Sequence, residues 1–228
     1  MGNLLNAELY KIIHRSTIGI CLVFTVVIEF VNGFLHGGNQ IGTLTLLIEI
    51  IGLVSCALFA GLFTCADFSS RTIFHAVTSG KNRISVWFSR YLTFLITSFI
   101  LLLVNQFAVF ASFLLFHGID RILTINELLS IALYTVSGII YDLCLVSFFF
   151  FVAMQVRESG VSIAVSVVLT GIMISSSGIL WVDRIFPLPN PRSILDSIPI
   201  SSLCPVLLLT LLLILSNVLL FQKRDILS

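Results

Sequence analysis

The chain has 228 residues, of which 58% are hydrophobic and only 10% charged, with a formal net charge of +1 at pH 7. Together with a mean hydropathy of +1.13, this lies far outside the soluble range and predicts an integral membrane protein built of helices. The small net charge gives no support to nucleic-acid binding.

Residues 3–15 place Leu5, Leu9, Ile12 and Ile13 on one stripe and Glu8, Lys11 and Arg15 on the other face. That pattern predicts an amphipathic helix lying in the membrane interface. A span needs about 20 apolar residues, and six segments qualify: roughly 16–35, 43–66, 86–116, 127–154, 160–182 and 203–221. The first follows basic residues as a signal peptide would, but it is long and lacks a small-residue cleavage site, so it reads as a retained helix. Lys11, Arg15, Arg71, Lys81, Arg83, Arg90, Arg157, Lys223 and Arg224 fall on the side of the termini, against Arg121, Arg184 and Arg192 opposite. Because Lys and Arg are retained on the inner side, a multi-pass cell-membrane protein with both termini cytoplasmic is expected.

Between the second and third spans runs a basic, half-apolar segment from Asp67 to Arg83. Asp67 suits an N-cap, Gly80 suits the residue after a helix end, and Lys81 and Arg83 suit the negative end of the helix dipole. A short cytoplasmic helix over about 68–80 is therefore expected. The third span is longer than a bilayer requires, so its first turns are expected to project, with Trp87 at headgroup level and Arg90 nearby.

In the fifth span, Ser162, Ser166 and Thr170 recur every fourth residue, followed by Gly171 and Ser175 one register over. Such ladders let two helix backbones approach closely, and either another helix of this chain or a second copy fits that role. Between the fifth and sixth spans, Pro187, Pro189 and Pro191 prevent a continuous helix, while Ile194, Leu195 and Ile198 suit a short re-entrant piece on the outer face. The whole chain reads as a single domain.

Three acids fall inside spans: Glu29, Glu49 and Asp142. An ionisable group at that depth is a functional candidate by default. Glu29 and Glu49 lie at similar depths, where they could share a proton or each reach a hydrogen-bond donor. Asp142 is expected near the depth of Asn105 and Gln106, where an interhelical hydrogen bond contributes on the order of 1 kcal/mol. A gating or substrate role for this group is the alternative.

The five cysteines lie in or beside apolar spans without metal-ligand spacing. No histidine falls within a span to activate Ser175, Ser176 or Ser177, and neither HExxH nor a P-loop occurs. Neither a catalytic site nor a cofactor of its own is expected of this chain.

These pieces resemble, along the whole chain, the small type-2 permeases of ATP-binding-cassette transporters. The family pattern at the cytoplasmic segment is an acid closing the second span, a Thr-aliphatic pair, a small residue and a basic residue. It reads here as Asp67, Thr72-Ile73, Gly80 and Arg83, with Arg71 departing from the Gly often found before the Thr. The resemblance implies an elbow helix carrying Glu8, Lys11 and Arg15, which contacts the ATPase or holds headgroups. It also implies a coupling helix whose Phe68, Phe74 and Val77 fill an apolar groove on a separate ATPase, while Arg71, Lys81 and Arg83 meet acidic groups at its rim.

Two ATPase copies would hold ATP and Mg, and a second permease copy or a paralogue would complete an alternating-access dimer. Chains this short resemble permeases for lantibiotics, bacitracin-like peptides and phenol-soluble-modulin-type toxins, serving export or immunity. Among the 20 phenylalanines, the run Phe148 to Phe151 and the group Phe107, Phe110, Phe113 and Phe116 could wall an apolar peptide path, or could pack in the core or face lipid. Two readings from other classes stand beside this one. The first is a proton-coupled carrier or channel using Glu29, Glu49 and Asp142; the second is an intramembrane hydrolase using Ser176 or Asp142.

Overall fold

A computed structural model describes residues 2–14, 16–35, 41–69, 80, 82–117, 125–175 and 200–223. Their regular structure is entirely helical. In chain order the helices are α1 (Gly2–His14), α2 (Ser16–Leu35) and α3 (Ile41–Ala60), which runs through a π-helical turn (Gly61–Cys65) into α4 (Ala66–Ser69). They are followed by α5 (Arg83–His117), α6 (Ile125–Val156), α7 (Ser159–Ser175) and α8 (Ile200–Lys223). Four stretches are long and apolar enough to cross a membrane: Ser16–Leu35, Ile50–Phe68, Arg83–Ser112 and Gly138–Val156.

The outward surface carries the same message as the lengths. Val23, Val27 and Val31 of α2, Phe107 and Phe110 of α5, and Leu208, Leu211 and Leu212 of α8 all point away from the bundle. Soluble monomers rarely leave apolar surface of this extent open to water. The chain is thus an α-helical protein with the outer surface of a membrane protein.

Lipid tails are as apolar as leucine, so burial alone does not pull such helices together, and close packing must do so. Glycines make the close approaches. A Cβ on Gly33 of α2 would stand 2.6 Å from the Ser112 hydroxyl of α5, and one on Gly52 of α3 would stand 3.1 Å from Asn105 Nδ2. A Cβ on Gly61, at the start of the π-turn, would overlap Ile163 Cγ1 of α7 and crowd the Ser159 carbonyl. Polar side chains add short interhelical bonds: the Thr25 and Ser55 hydroxyls are 2.8 Å apart, and those of Tyr91 and Ser147 are 2.9 Å apart.

An aromatic ladder fills the centre of the bundle. Phe63 stacks on Phe59, Phe59 on Phe94, and Phe94 meets Phe150, which touches both Tyr91 and Trp87, with centroids 5.2–6.0 Å apart. Each pair adds about 0.5–1.5 kcal/mol beyond its buried area. Trp87 is only 1% exposed and stacks on Tyr91 inside the bundle. From the second turn of α5 it meets Phe150 of α6, so packing against that ring decides its orientation.

The phenylalanine groups divide in the same way. Phe149 and Phe150 are core, whereas Phe107, Phe110 and Phe116 face outward, and the side chain of Phe113 lies outside the described residues. Ser162, Ser166 and Thr170 are buried within the chain, where α7 packs on α3 and α6. An internal partner therefore accounts for that ladder. Gly171 is exposed. Cys21, Cys56, Cys65 and Cys144 are buried free thiols.

Because the π-turn brings Gly61 against Ile163, Gly61→Ala is expected to lower the thermal midpoint of the detergent-solubilised protein. Overpacking of this kind costs about 1–3 kcal/mol. Gly171→Ala, whose Cβ meets nothing within 4 Å, should leave the midpoint unchanged. Adding Ile163→Ala to Gly61→Ala should recover part of the loss, and strict additivity in that cycle would refute the contact.

Candidate functional site

At the end of the bundle where α4 stops, four charged side chains from three separate elements meet. They begin with α1, which docks by its charged side. Glu8 and Lys11 turn inward beside the buried Ile12, while Tyr10 and Ile13 are exposed. Of the apolar stripe, Ile13 faces outward, Ile12 is buried, and Leu5 and Leu9 are half-buried. The charges turn inward because a partner waits for them inside.

That partner is Asp67, which is fully buried. Lys11 Nζ lies 2.5 Å from its Oδ1, and Arg90 Nη2 of α5 lies 3.1 Å from its Oδ2. Glu8 closes the cluster, with Oε1 3.6 Å from Arg90 Nε and Oε2 3.8 Å from Lys11 Nζ. Two acids and two bases balance in charge. Taking a carboxylate out of water costs several kcal/mol, and only close cations with additional hydrogen bonds offset it. Asp67 therefore holds α1 and α5 to itself.

A third cation grips the next residue. The Arg157 guanidinium lies 5.2 Å from the centre of the Phe68 ring, a cation–π contact. Arg157 sits in the short link between α6 and α7 with φ of 61°, and its amide donates to the Ala153 carbonyl at 3.2 Å. A side chain in the left-handed region is strained by about 1–3 kcal/mol, and such strain persists only where the surroundings impose it. Here it turns the chain sharply out of α6 and aims the guanidinium at Phe68. The four residues of α4 are thus held from both sides, immediately before segment 70–79.

Asp67 lies inside a helical stretch that ends at Ser69, and its carboxylate takes on ion pairs that the capping expectation did not include. Gly80 has φ of +80°, in the left-handed region that glycine adopts without strain. Arg83 is the first residue of α5 rather than the tail of a preceding helix, because Asn82 caps α5: its Oδ1 accepts from the Ile84 amide at 3.1 Å. Arg15, Arg71, Thr72, Ile73, Phe74, Val77 and Lys81 lie outside the described residues, as does the proline-rich stretch 183–199. The side chain of Ser175 lies outside them as well.

Of the intramembrane polar groups, Glu29 is 2% exposed and sits on the buried stripe Cys21, Thr25, Glu29, Gly33 of α2. Glu49 is in α3, with its side chain outside the described residues. Asn105 and Asp142 are both buried, and Gln106 is half-buried. Asn105 packs on Gly52, whereas Asp142 lies within electrostatic reach of Cys56. Four residues of α3 separate those two anchors, about one helical turn, so Asn105 and Asp142 meet α3 at different levels.

Two members of the cluster region escaped the sequence reading in their structural roles. Arg157 appeared only as a marker of sidedness, and Arg90 as that and as part of the projecting start of the third span. The available signal was Arg90 itself, a cation seven residues into an apolar helix, which requires a carboxylate. The acid closing the preceding span is the nearest along the chain. Nothing local to Arg157 foretells its positive φ.

Removing the central acid should reveal the ranking of these contacts. Asp67→Asn leaves Arg90 buried with a weakened partner and should destabilise the protein by about 3 kcal/mol, the range for breaking a buried pair. Lys11→Met, whose side chain is 30% exposed, should cost no more than about 1 kcal/mol. Denaturant titration in mild detergent measures both, and equal losses would contradict the ranking.

Against known protein families, curated proteins and solved structures, the chain has no match.

Proposed function

We propose that the chain is the membrane-spanning subunit of an ATP-driven exporter of the ATP-binding-cassette type, working with a separate ATPase. On this reading it has six spans with both termini in the cytoplasm. Its α1 is the elbow helix, and the coupling helix on which the ATPase presses is about 68–80, within the segment Asp67 to Arg83. The observation that carries the reading is the grip on α4: Asp67 is bound to α1 through Lys11 and to α5 through Arg90, while Phe68 is bound to the α6–α7 link through Arg157.

A push on a cytoplasmic loop does work only if the helices behind it move as a unit. Buried ion pairs resist separation because parting them strands a charge in low dielectric. Force delivered to the coupling helix would reach α4, and through it α1, α5 and the α6–α7 link. A freely hinged loop could not transmit it.

The cargo on this reading is a hydrophobic or amphipathic peptide of antimicrobial or toxin type, exported or cleared from the membrane. ATP and Mg would be bound by two ATPase copies, and a second permease copy or a paralogue would complete the path. Phe107, Phe110 and Phe116, which face outward from α5, are among the apolar side chains available to a peptide or to lipid.

Co-expression with the ATPases encoded beside this gene tests the reading. Wild-type chain should co-purify with one of them. Phe74→Asp with Val77→Asp should abolish both the complex and the ATPase-dependent release of peptide, while the permease still inserts. Retention of complex and release in the double variant would overturn the proposal, and so would flux driven by a pH gradient without nucleotide.

A further inference from the structure

Glu29 lies in the middle of a tight three-helix contact. It is on the stripe of α2 that packs against α3 and α5. One turn toward the N-terminus, Thr25 is 2.8 Å from the Ser55 hydroxyl of α3; one turn the other way, Gly33 seats on the Ser112 hydroxyl of α5. The carboxyl between these two contacts is 2% exposed, and its Oε1 is buried without a hydrogen-bond partner. Asn105 of α5, packed on Gly52 of α3, supplies a further buried polar group at the same three-helix contact.

Neither α2 nor α3 carries a Lys, Arg or His. From Leu92 to Phe116, α5 carries no ionisable residue. Arg90 is committed to Asp67 and Glu8, and from Ser112 it is 22 positions along α5, roughly 33 Å at the helical rise. On α2 itself the neighbouring titratable group is Cys21, and on α3 the titratable groups are Cys56 and Glu49. Asp142 of α6 acts on Cys56. All of these are neutral or acidic.

A bare carboxylate buried in this way is too costly to persist, so a positive companion must accompany it. We propose that Glu29 is the carboxylate of a small-cation site inside the bundle, occupied by a proton or by a sodium-sized ion. The hydroxyls of Thr25, Ser55 and Ser112 and the amide of Asn105 in the same three-helix contact carry oxygen atoms, the donor type that hard monovalent cations and protons favour. The site is independent of the ATPase reading, because it rests on the charge balance of α2, α3 and α5 alone.

The test uses the full chain in lipid nanodiscs and compares wild type with Glu29→Gln, which keeps size while removing the charge. With a proton as occupant, the infrared spectrum of wild type contains the carbonyl stretch of a neutral carboxyl group, and Glu29→Gln loses it. If sodium occupies the site, the thermal midpoint of wild type rises in sodium chloride relative to choline chloride at equal ionic strength, and Glu29→Gln shows no such rise. Should Glu29→Gln fail to fold, Glu29→Asp keeps the carboxyl and should shift the band or weaken the sodium response. A wild type with no sodium response, whose neutral-carboxyl band is unchanged by either substitution, overturns the proposal.

Discussion

The structure depends on one buried carboxylate. Asp67 stands at the end of the second long apolar helix with no exposure to solvent, and a charge in that position is tolerable only beside close cations. Those cations come from opposite directions in sequence, Lys11 from 56 residues before and Arg90 from the following helix. Satisfying one side chain therefore fixes where α1 docks and how α4 meets α5. Its neighbour Phe68 fixes the α6–α7 link by the same kind of demand, since Arg157 reaches it only from a backbone turn that side chains seldom adopt.

Above that joint the bundle is held by contacts that suit an apolar solvent. Glycine faces serine, asparagine or isoleucine where backbones come close, and the ladder from Phe63 to Trp87 fills the volume between α3, α5 and α6. The π-turn Gly61–Cys65 belongs to both systems. It seats Gly61 under Ile163, and it sets the rotation of the helix end from which Asp67 reaches two partners. An inserted π-turn shifts the register of everything after it. The grip on α4 thus depends on packing against α7 one turn higher.

Composition and apolar run length made the all-helical, lipid-facing character legible in the sequence, because both are bulk properties that no single contact can reverse. The small-residue ladder Ser162, Ser166, Thr170 was legible as a contact face, but its partner was not, since periodicity describes one helix and a contact needs two. The partners of α1 were hidden for the same reason. Leu5, Leu9, Ile12 and Ile13 form a real stripe, yet Glu8 and Lys11 turn inward to complementary charges whose nearness only the fold creates. The headgroup preference assigned Trp87 a depth and said nothing of its neighbours, and the contact with Phe150 that turns the ring into the bundle needed the fold. Asp67 was singled out by its position at a span end, whereas the identity of its partners required three-dimensional proximity.

Two buried acids remain to be compared, and the difference between them separates a joint from an exchange site. Asp67 is neutralised by the chain's own cations, so its pairing carries no requirement for anything from outside and suits a contact that must hold through a cycle of motion. Glu29 sits among hydroxyls, thiols and an amide, and its balancing charge must be brought in. A permanent ion pair at that position would have served stability at least as well, because an internal cation needs no entry path. The absence of ionisable residues from Leu92 to Phe116 therefore argues that the charge at Glu29 is meant to come and go. Since α5 takes part in both centres, pairing with Asp67 through Arg90 and packing on α2 beside Glu29, displacing α5 at the Asp67 end would alter the α2–α5 contact on which Glu29 depends.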